Sequence, residues 1–256
     1  MHSSFLSTTA LPHGGLPEPA SALLAACPVQ EEAFALAYES AGPQVRAEIK
    51  LALARLFALW GKAPQQRETV QQFAEGFQLR EECAPAPFTV VLCPVQFAQP
   101  ACLVASLMPA LCAGVPHVLP VFVGEEAAVH PYLLCALELA GVEGASLLSL
   151  ESAEELLGTL CAGLGQGRLL VLGPQGFGLP ILQAALGLNL PAMPLWGVPR
   201  TTLLDLSAHS KGTGGASTFP HCGPFMQVDA ANSSVWLWPG LEPQWFINKR
   251  VSLLSD

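Results

Sequence analysis

Two long stretches of this sequence carry no charged side chain, and they restrict its possible folds more than any other feature. No Asp, Glu, Lys or Arg occurs between Glu82 and Glu125, or between Arg168 and Arg200. Each stretch is long enough to span a bilayer. Both are interrupted by closely spaced prolines, however, which would leave backbone groups that lipid cannot satisfy. We therefore expect the two stretches to be buried inside the protein, with no membrane partner.

From Phe88 to Ser207, apolar runs typical of strands alternate with helical segments. The predicted strands are Phe88–Cys93, Val115–Val123, Ala145–Leu150, Arg168–Leu172, Leu188–Leu195 and Thr201–Leu206. The predicted helices are Ala101–Ala113, Pro131–Ala140, one that Ser152 opens with Glu155 three residues on, and Leu179–Leu186. Such alternation indicates βαβ units, and continuous apolar strands are typical of a parallel sheet covered on both faces. The predicted fold class is α/β, a Rossmann-like parallel sheet with helices on both faces.

The chain before this core is predicted to be an irregular lead and three helices. The lead is Met1–Ala20, and the helices are Pro28–Tyr38, Pro43–Trp60 and an exposed amphipathic one at Pro64–Glu82. Since Ala101–Ala113 is apolar all round, either these helices or a second subunit should cover it.

The chain after the core has a different composition. A Gly-rich loop, 209–218, precedes a predicted β-hairpin of Phe225–Asp229 and Ser234–Trp238 and a last strand, Phe246–Leu254. Three tryptophans here suggest an arm that packs on the sheet edge or on a second subunit: Trp236, Trp238 and Trp245. We divide the chain into an N-terminal helical part (1–85), the α/β core (86–207) and a C-terminal β-hairpin arm (208–256).

Composition excludes some partners and favours others. The net charge is −9 with only 11 Lys and Arg, so no nucleic-acid partner is expected. A hydrophobic fraction of 51% with 12% charged residues favours a homo-oligomer, most simply a homodimer. The eight cysteines are scattered singly without a CxxC pair, which is typical of buried thiols in a reducing, cytoplasmic protein. The start of the sequence lacks the pattern of a signal peptide.

A candidate binding site lies in the turn Gly173-Pro174-Gln175-Gly176, between a predicted strand and a predicted helix. Ligands of open α/β sheets bind at the carboxyl ends of strands, near helix N-termini where N–H groups are free. Two glycines would permit close approach of a phosphate or nucleotide. A tight turn without a ligand is the alternative, because the pattern is neither GxGxxG nor a P-loop.

Other chemistry-bearing residues gather after the core without forming a recognised motif. His209, His221, Cys222 and Asp229 lack the paired spacing of a zinc site, so no metal is expected. Lys211 lies in the Gly-rich loop, where a solvated role is the simpler interpretation. No nucleophile motif such as GxSxG occurs.

Several segments resemble the histidinol dehydrogenases, an aldehyde-dehydrogenase-like family. The matching segments, in order, are Ser106–Ala110, Ala113–Val115, Ala136–Val142, Gly173-Pro174, Pro191–Pro199 and Thr201–Asp205. They correspond to the family's S-x-x-L-M run, its Pro-Ala pair, two Ala-Gly-Val helix ends, the Gly-Pro-Gly-Asn turn and a strand ending in Asp. The match extends over about 88–205, slightly under half of the chain.

The resemblance implies a Rossmann-like domain that holds NAD, in a subunit that dimerises. The departures concern catalysis: Gly176 stands at the turn asparagine, and Pro94-Val-Gln96 replaces a Pro-Gly-Gly. The Gln-Ala-Glu-His zinc motif and the Gly-Pro-Glu-His acid–base motif are both missing from the sequence. The resemblance therefore implies a truncated, catalytically degenerate relative rather than an active histidinol dehydrogenase.

Three functions remain open on the sequence alone. The first is a non-catalytic or divergent domain that binds a nucleotide or small anionic ligand at the strand carboxyl ends. The second is a divergent NAD-dependent oxidoreductase with a site around Gln175, Asp205, His209 and His221. The third is a structural or assembly partner that uses the Trp-rich tail. The ligand, and whether any catalysis remains, are not fixed by the sequence.

Overall fold

The computed structural model describes residues 15–61, 67–124, 129–142, 144–196 and 236–255. Seven helices and eight strands lie in these ranges, together with one 3₁₀ helix at Pro243–Phe246. The elements follow the order α1 (Glu18–Ala26), α2 (Glu31–Ser40), α3 (Pro43–Trp60), β1 (Arg67–Phe73), β2 (Phe77–Pro85), β3 (Phe88–Pro94), α4 (Pro100–Ala113), β4 (His117–Val123), α5 (Pro131–Ala140), β5 (Ser146–Leu148), α6 (Leu150–Leu164), β6 (Arg168–Gly173), α7 (Leu179–Gly187), β7 (Ala192–Trp196) and β8 (Ile247–Ser255).

The core is a five-stranded parallel sheet in the order β5-β4-β3-β6-β7. Every residue of β3 and β6 is buried, as expected for central strands covered on both faces. Alternate residues of β3 face different cores: Val91 and Cys93 pack with α4 and α5, whereas Val90 and Leu92 pack with α6 and α7. The predicted α/β fold class is thus confirmed.

The uncharged helix α4 is buried on nearly all sides, and the N-terminal helices are what cover it. Helix α3 packs on α4, and α2 packs on α5, so a second helical layer lies over one face of the sheet. The sequence left two possible covers for α4, the N-terminal helices or a second subunit. In the structure the N-terminal helices cover it. None of the helices in the described ranges has the length and hydrophobicity of a membrane span.

A second, smaller sheet is antiparallel, in the order β1-β2-β8. It corrects the helix predicted at Pro64–Glu82, because the described part of this segment, from Arg67 on, is a β-hairpin closed by a turn at Gly76, which has φ 84°. The Phe73 and Phe77 rings, which also fit a helical spacing, stack across the hairpin with centroids 4.5 Å apart. The third strand, β8, confirms the predicted last strand of the C-terminal arm.

Local boundaries supply further corrections. Helix α1 starts at Glu18, inside the predicted irregular lead, with Pro17 as its N-cap and Pro19 in its first turn, where a missing N–H costs nothing. Helix α6 is capped by Ser149 rather than Ser152, since the Ser149 Oγ accepts from the Ser152 N–H at 3.0 Å. Strand β7 begins at Ala192, four residues later than predicted. The predicted strand Thr201–Leu206 and most of the predicted hairpin lie outside the described residues.

One buried cation joins the two sheets. Arg168, at the start of β6, is 6% exposed and donates to the carbonyls of Trp245 (2.6 Å), Gly167 (2.8 Å) and Ile247 (3.3 Å). Its guanidinium also lies 5.5 Å from the Trp245 ring centre. Nearby, the Ala86 N–H donates to the Phe246 carbonyl at 2.7 Å. The arm that carries β8 is therefore tied to the amino end of the central strands.

Candidate functional site

The order of the strands reverses between β3 and β6, which makes the carboxyl ends of these two strands the switch point of the sheet. The chain moves outward from β3 to β4 and β5, and then returns to the other side of β3 with β6 and β7. At such a reversal the two connecting loops diverge and leave a crevice, which is where open α/β sheets bind ligands. The loops here are residues 95–99 and 174–178. The predicted turn Gly173–Gly176 therefore lies at the switch point of the sheet.

The backbone of this turn depends on glycine at its two ends. Gly173 has φ 156°, and a Cβ there would lie 2.9 Å from the ring of Phe177. Gly178 has φ 70°, and a Cβ there would lie 2.6 Å from Cγ1 of Val171. Any larger residue would be strained and would clash at both positions. The turn can therefore lie close against β6, which leaves its outer side open.

The turn offers unused hydrogen-bond donors to the crevice. The Phe177 N–H closes the turn by donating to the Pro174 carbonyl at 3.0 Å. Among the described residues no acceptor receives the N–H groups of Gln175 or Gly176. Helix α7 then begins at Leu179 without a side-chain cap. Free N–H groups beside a helix N-terminus form a positive site of the kind that binds phosphates and carboxylates.

Aromatic side chains support the turn from the side of β7. Trp196 pairs with Gly173 in the sheet register, and its Nε1 donates to the Phe177 carbonyl at 3.2 Å. On the other side of the crevice, Phe97 is buried in the loop after β3. The Trp196 hydrogen bond holds the turn at Phe177, and a turn that is held before binding pre-organises its backbone donors for a ligand.

The polar side chains of the two loops are neutral. They are Gln96 and Gln99 after β3 and Gln175 after β6, and neither loop contains an ionisable group. The nearest thiols are Cys93, at the end of β3, and Cys102 in α4, and burial raises the pKa of both far above that of an exposed cysteine. Because the thiolate is the nucleophile, these buried cysteines are inert. The described loops can bind and orient a ligand, but they supply no acid, base or nucleophile.

The remaining candidate residues cannot be placed. Asp205, His209, Lys211, His221, Cys222 and Asp229 all lie outside the described residues, so the site proposed around them stays a prediction. Within the described ranges no three His, Cys, Asp or Glu residues gather in a way that could hold a metal ion.

A cavity that the sequence did not indicate lies at the opposite edge of the parallel sheet. It has a volume of about 590 Å³ and lies between α1 and the amino ends of β4 and β5. Its walls are mainly apolar, and one of its two serine hydroxyls, that of Ser146, already donates to the Leu24 carbonyl at 3.0 Å. No local pattern marks such a cavity, because distant segments form it.

Comparisons with known proteins find similarity in structure but not in sequence. No family model and no curated protein matches the chain. The histidinol dehydrogenase of Elizabethkingia anophelis matches at 14% identity and a TM-score of 0.51, over 66% of this chain and 39% of its own. PnpE, solved in complex with nicotinamide adenine dinucleotide, matches at 16% identity and a TM-score of 0.43, over 70% of this chain and 38% of its own. An aldehyde dehydrogenase of Bacillus cereus matches at 13% identity and a TM-score of 0.41, over 74% of this chain and 40% of its own.

The similarity to histidinol dehydrogenase is one of fold. It confirms, at that level, the resemblance that the ordered motifs between Ser106 and Asp205 indicated. This chain spans about two-fifths of the length of the structures that it matches. The described part of the chain thus has the Rossmann-like fold of a histidinol dehydrogenase domain.

Proposed function

We propose that this chain binds a nucleotide-like or other small anionic ligand at the turn Gly173-Pro174-Gln175-Gly176, and that NAD is the first ligand to test. One observation carries the proposal: the backbone N–H groups of Gln175 and Gly176, at the switch point of the sheet, have no acceptor among the residues that the structure describes. Donors in this position suit the phosphate oxygens of a dinucleotide. NAD comes first because the family that the motifs resemble holds it.

Binding without catalysis is the form of the proposal that the crevice favours. Hydride transfer to NAD needs a group that removes a proton from the substrate. The loops after β3 and β6 offer only glutamine side chains, together with backbone donors. A divergent NAD-dependent oxidoreductase remains the alternative, with Asp205, His209 and His221 as its candidate groups. Formation of NADH from an amino-alcohol or aldehyde substrate, lost on His209→Ala or His221→Ala, would establish that alternative.

The direct test is isothermal titration of the full chain with NAD, ADP and inorganic phosphate. We expect heat with at least one of them, and we expect Gln175→Glu to weaken that binding about tenfold or more by placing a carboxylate among the donors. The matched control is Gln183→Glu, which adds the same charge on the exposed side of α7. Equal affinities in the two variants, or no heat with any ligand, would contradict the proposal.

A further inference from the structure

The cavity between α1 and the amino ends of β4 and β5 opens where two strands of the parallel sheet separate. Strand β4 pairs with β3 along all 7 of its residues, but β5 pairs only with its last part, from Val121 to Val123. The first half of β4 therefore has no strand on its outer side among the described residues, and the cavity occupies that side. Its volume of about 590 Å³ is in the range of small-molecule sites.

The bonds of β5 determine which backbone groups of β4 face the cavity side. On the outer side of β5, the Leu147 N–H donates to the Cys27 carbonyl at 2.8 Å. Because the backbone groups of a strand alternate between its two sides, Leu147 faces away from β4 and Ser146 faces toward it. Ser146 pairs with Val121, so in a parallel ladder its bonds go to the residues before and after Val121. The even-numbered residues of β4 therefore face the side of β5.

Pro120 ends the ladder between β4 and β5. Its carbonyl can accept from the Ser146 N–H, but it has no N–H of its own for the next bond. Val118 is the next residue that faces this side, and its N–H and carbonyl point past the end of the ladder toward the cavity, whose wall it forms. No partner for either group lies among the described residues. The apolar wall thus contains one extended residue with a free donor beside a free acceptor.

A primary carboxamide is the group that complements one such residue. Its NH₂ donates and its carbonyl accepts in the same plane, so it can bond both backbone groups of Val118 at once. None of the described residues that line the cavity is ionisable, so a charged group would lose its hydration there without gaining a partner. Much of the remaining wall is aliphatic and suits an apolar body, with Leu16, Leu24, Leu111 and Leu119 among its residues.

A peptide strand fits the same edge less well than a single amide. A strand that adds to a sheet needs a donor and an acceptor at every second residue of the edge. Val118 supplies both, but the residues two positions before and after it are Pro116 and Pro120, and neither has an N–H. The edge can therefore bind one amide group, but it cannot continue a ladder.

We propose that this cavity binds a small uncharged molecule that carries a primary carboxamide on an apolar body. The amide bonds the N–H and the carbonyl of Val118, and the apolar body lies between α1 and the edge of the sheet. The site lies at the amino ends of the strands, whereas the turn Gly173–Gly176 lies at their carboxyl ends. It is therefore independent of the ligand proposed for that turn.

A series of three naphthalene ligands tests the chemistry of the site on the wild-type chain. Naphthamide carries the carboxamide, acetylnaphthalene keeps the carbonyl but lacks the donor, and naphthoate is charged. In fluorescence titration of the full chain, we expect naphthamide to bind saturably, about fivefold more tightly than acetylnaphthalene and at least about tenfold more tightly than naphthoate. No binding of naphthamide, or affinities that do not fall in this order, contradicts the proposal.

A matched pair of alanines on α1 tests the location of the site. Ala25 lines the cavity, whereas its neighbour Ala26 is not among the lining residues, and both are exposed. We expect Ala25→Phe, which fills part of the cavity, to weaken naphthamide binding at least about tenfold, and Ala26→Phe to leave it within about twofold. Gln175→Glu, at the other end of the strands, should also leave it unchanged. Equal affinities in the two alanine variants, or a loss of binding in Gln175→Glu, would place the amide elsewhere and overturn the proposal.

Discussion

The two sheets of this protein differ in how they are buried, and the difference explains which of them its sequence reveals. In the parallel sheet, every residue of β3 and β6 is buried between helices. In the antiparallel sheet, no residue of β1 or β2 is buried, and the strands carry most of the described ion pairs. A strand enclosed on both faces must be apolar throughout, whereas an exposed strand can resemble an amphipathic helix.

The strongest test of this comparison removes one phenylalanine from each sheet. Phe88 of β3 is fully buried, and Phe73 of β1 is 37% exposed. We expect Phe88→Ala to lower the free energy of unfolding by about 3–5 kcal/mol because it leaves a cavity. Phe73→Ala should cost less than about 1 kcal/mol in a monomer, since its ring stays partly in water. Urea unfolding followed by circular dichroism measures both, and similar losses would mean that the small sheet is as enclosed as the large one.

The next test breaks the joint between the sheets. Arg168→Met keeps the length of the side chain but removes the donors to Trp245 and Ile247, and we expect a loss of about 2–3 kcal/mol. Hydrogen exchange should accelerate in residues 245–255 more than in β6. Arg250→Met, at an exposed position of β8, is the control and should change stability by less than about 0.5 kcal/mol. Unchanged exchange in the arm would show that other contacts hold it.

A smaller test addresses the parallel domain alone. Ser149 caps α6 through its Oγ, so Ser149→Ala should cost about 1 kcal/mol. Ser152→Ala, at the position that the sequence pattern favoured, should cost only a few tenths of a kcal/mol, because its backbone N–H is the donor. If Ser152→Ala lowers the thermal unfolding temperature more than Ser149→Ala does, Ser152 is the cap, as the sequence pattern indicated.

The smallest expected effect depends on pH. The Nδ1 of His130 accepts from the Tyr132 N–H at 3.2 Å at the start of α5, and burial lowers its pKa. The folded chain therefore favours the neutral ring. The contribution of His130 to the free energy of unfolding is complete above the ordinary histidine pKa of about 6.5 and declines below it. His130→Asn keeps a capping acceptor and should make stability less dependent on pH between 7 and about 5. A wild-type stability that stays flat over this range would exclude the effect.

The sequence predicts the parallel domain because its signals are local. The predicted limits of β3, α4, α5 and β6 agree with the structure to within one residue, and the glycine turn lies where a strand–turn–helix pattern placed it. The division of the chain at 85 and 207 stays a prediction.

The features that the sequence missed depend on distant partners or on exact backbone geometry. The hairpin β1–β2 resembles a helix in its spacing and becomes a sheet with β8, which follows far along the chain. Gly178 is essential to the turn because of its φ of 70° and its contact with Val171, and neither is visible in the residue order.

The joint at Arg168 also has a consequence for how quickly the protein folds. Its partner Trp245 lies 77 residues further along the chain, and the indole of Trp238 donates to the Cys102 carbonyl across 136 residues. Contacts between such distant segments form slowly, because a large loop must close before they give any stability. We therefore expect the parallel sheet to assemble first and the last strand to dock in a later, rate-limiting step.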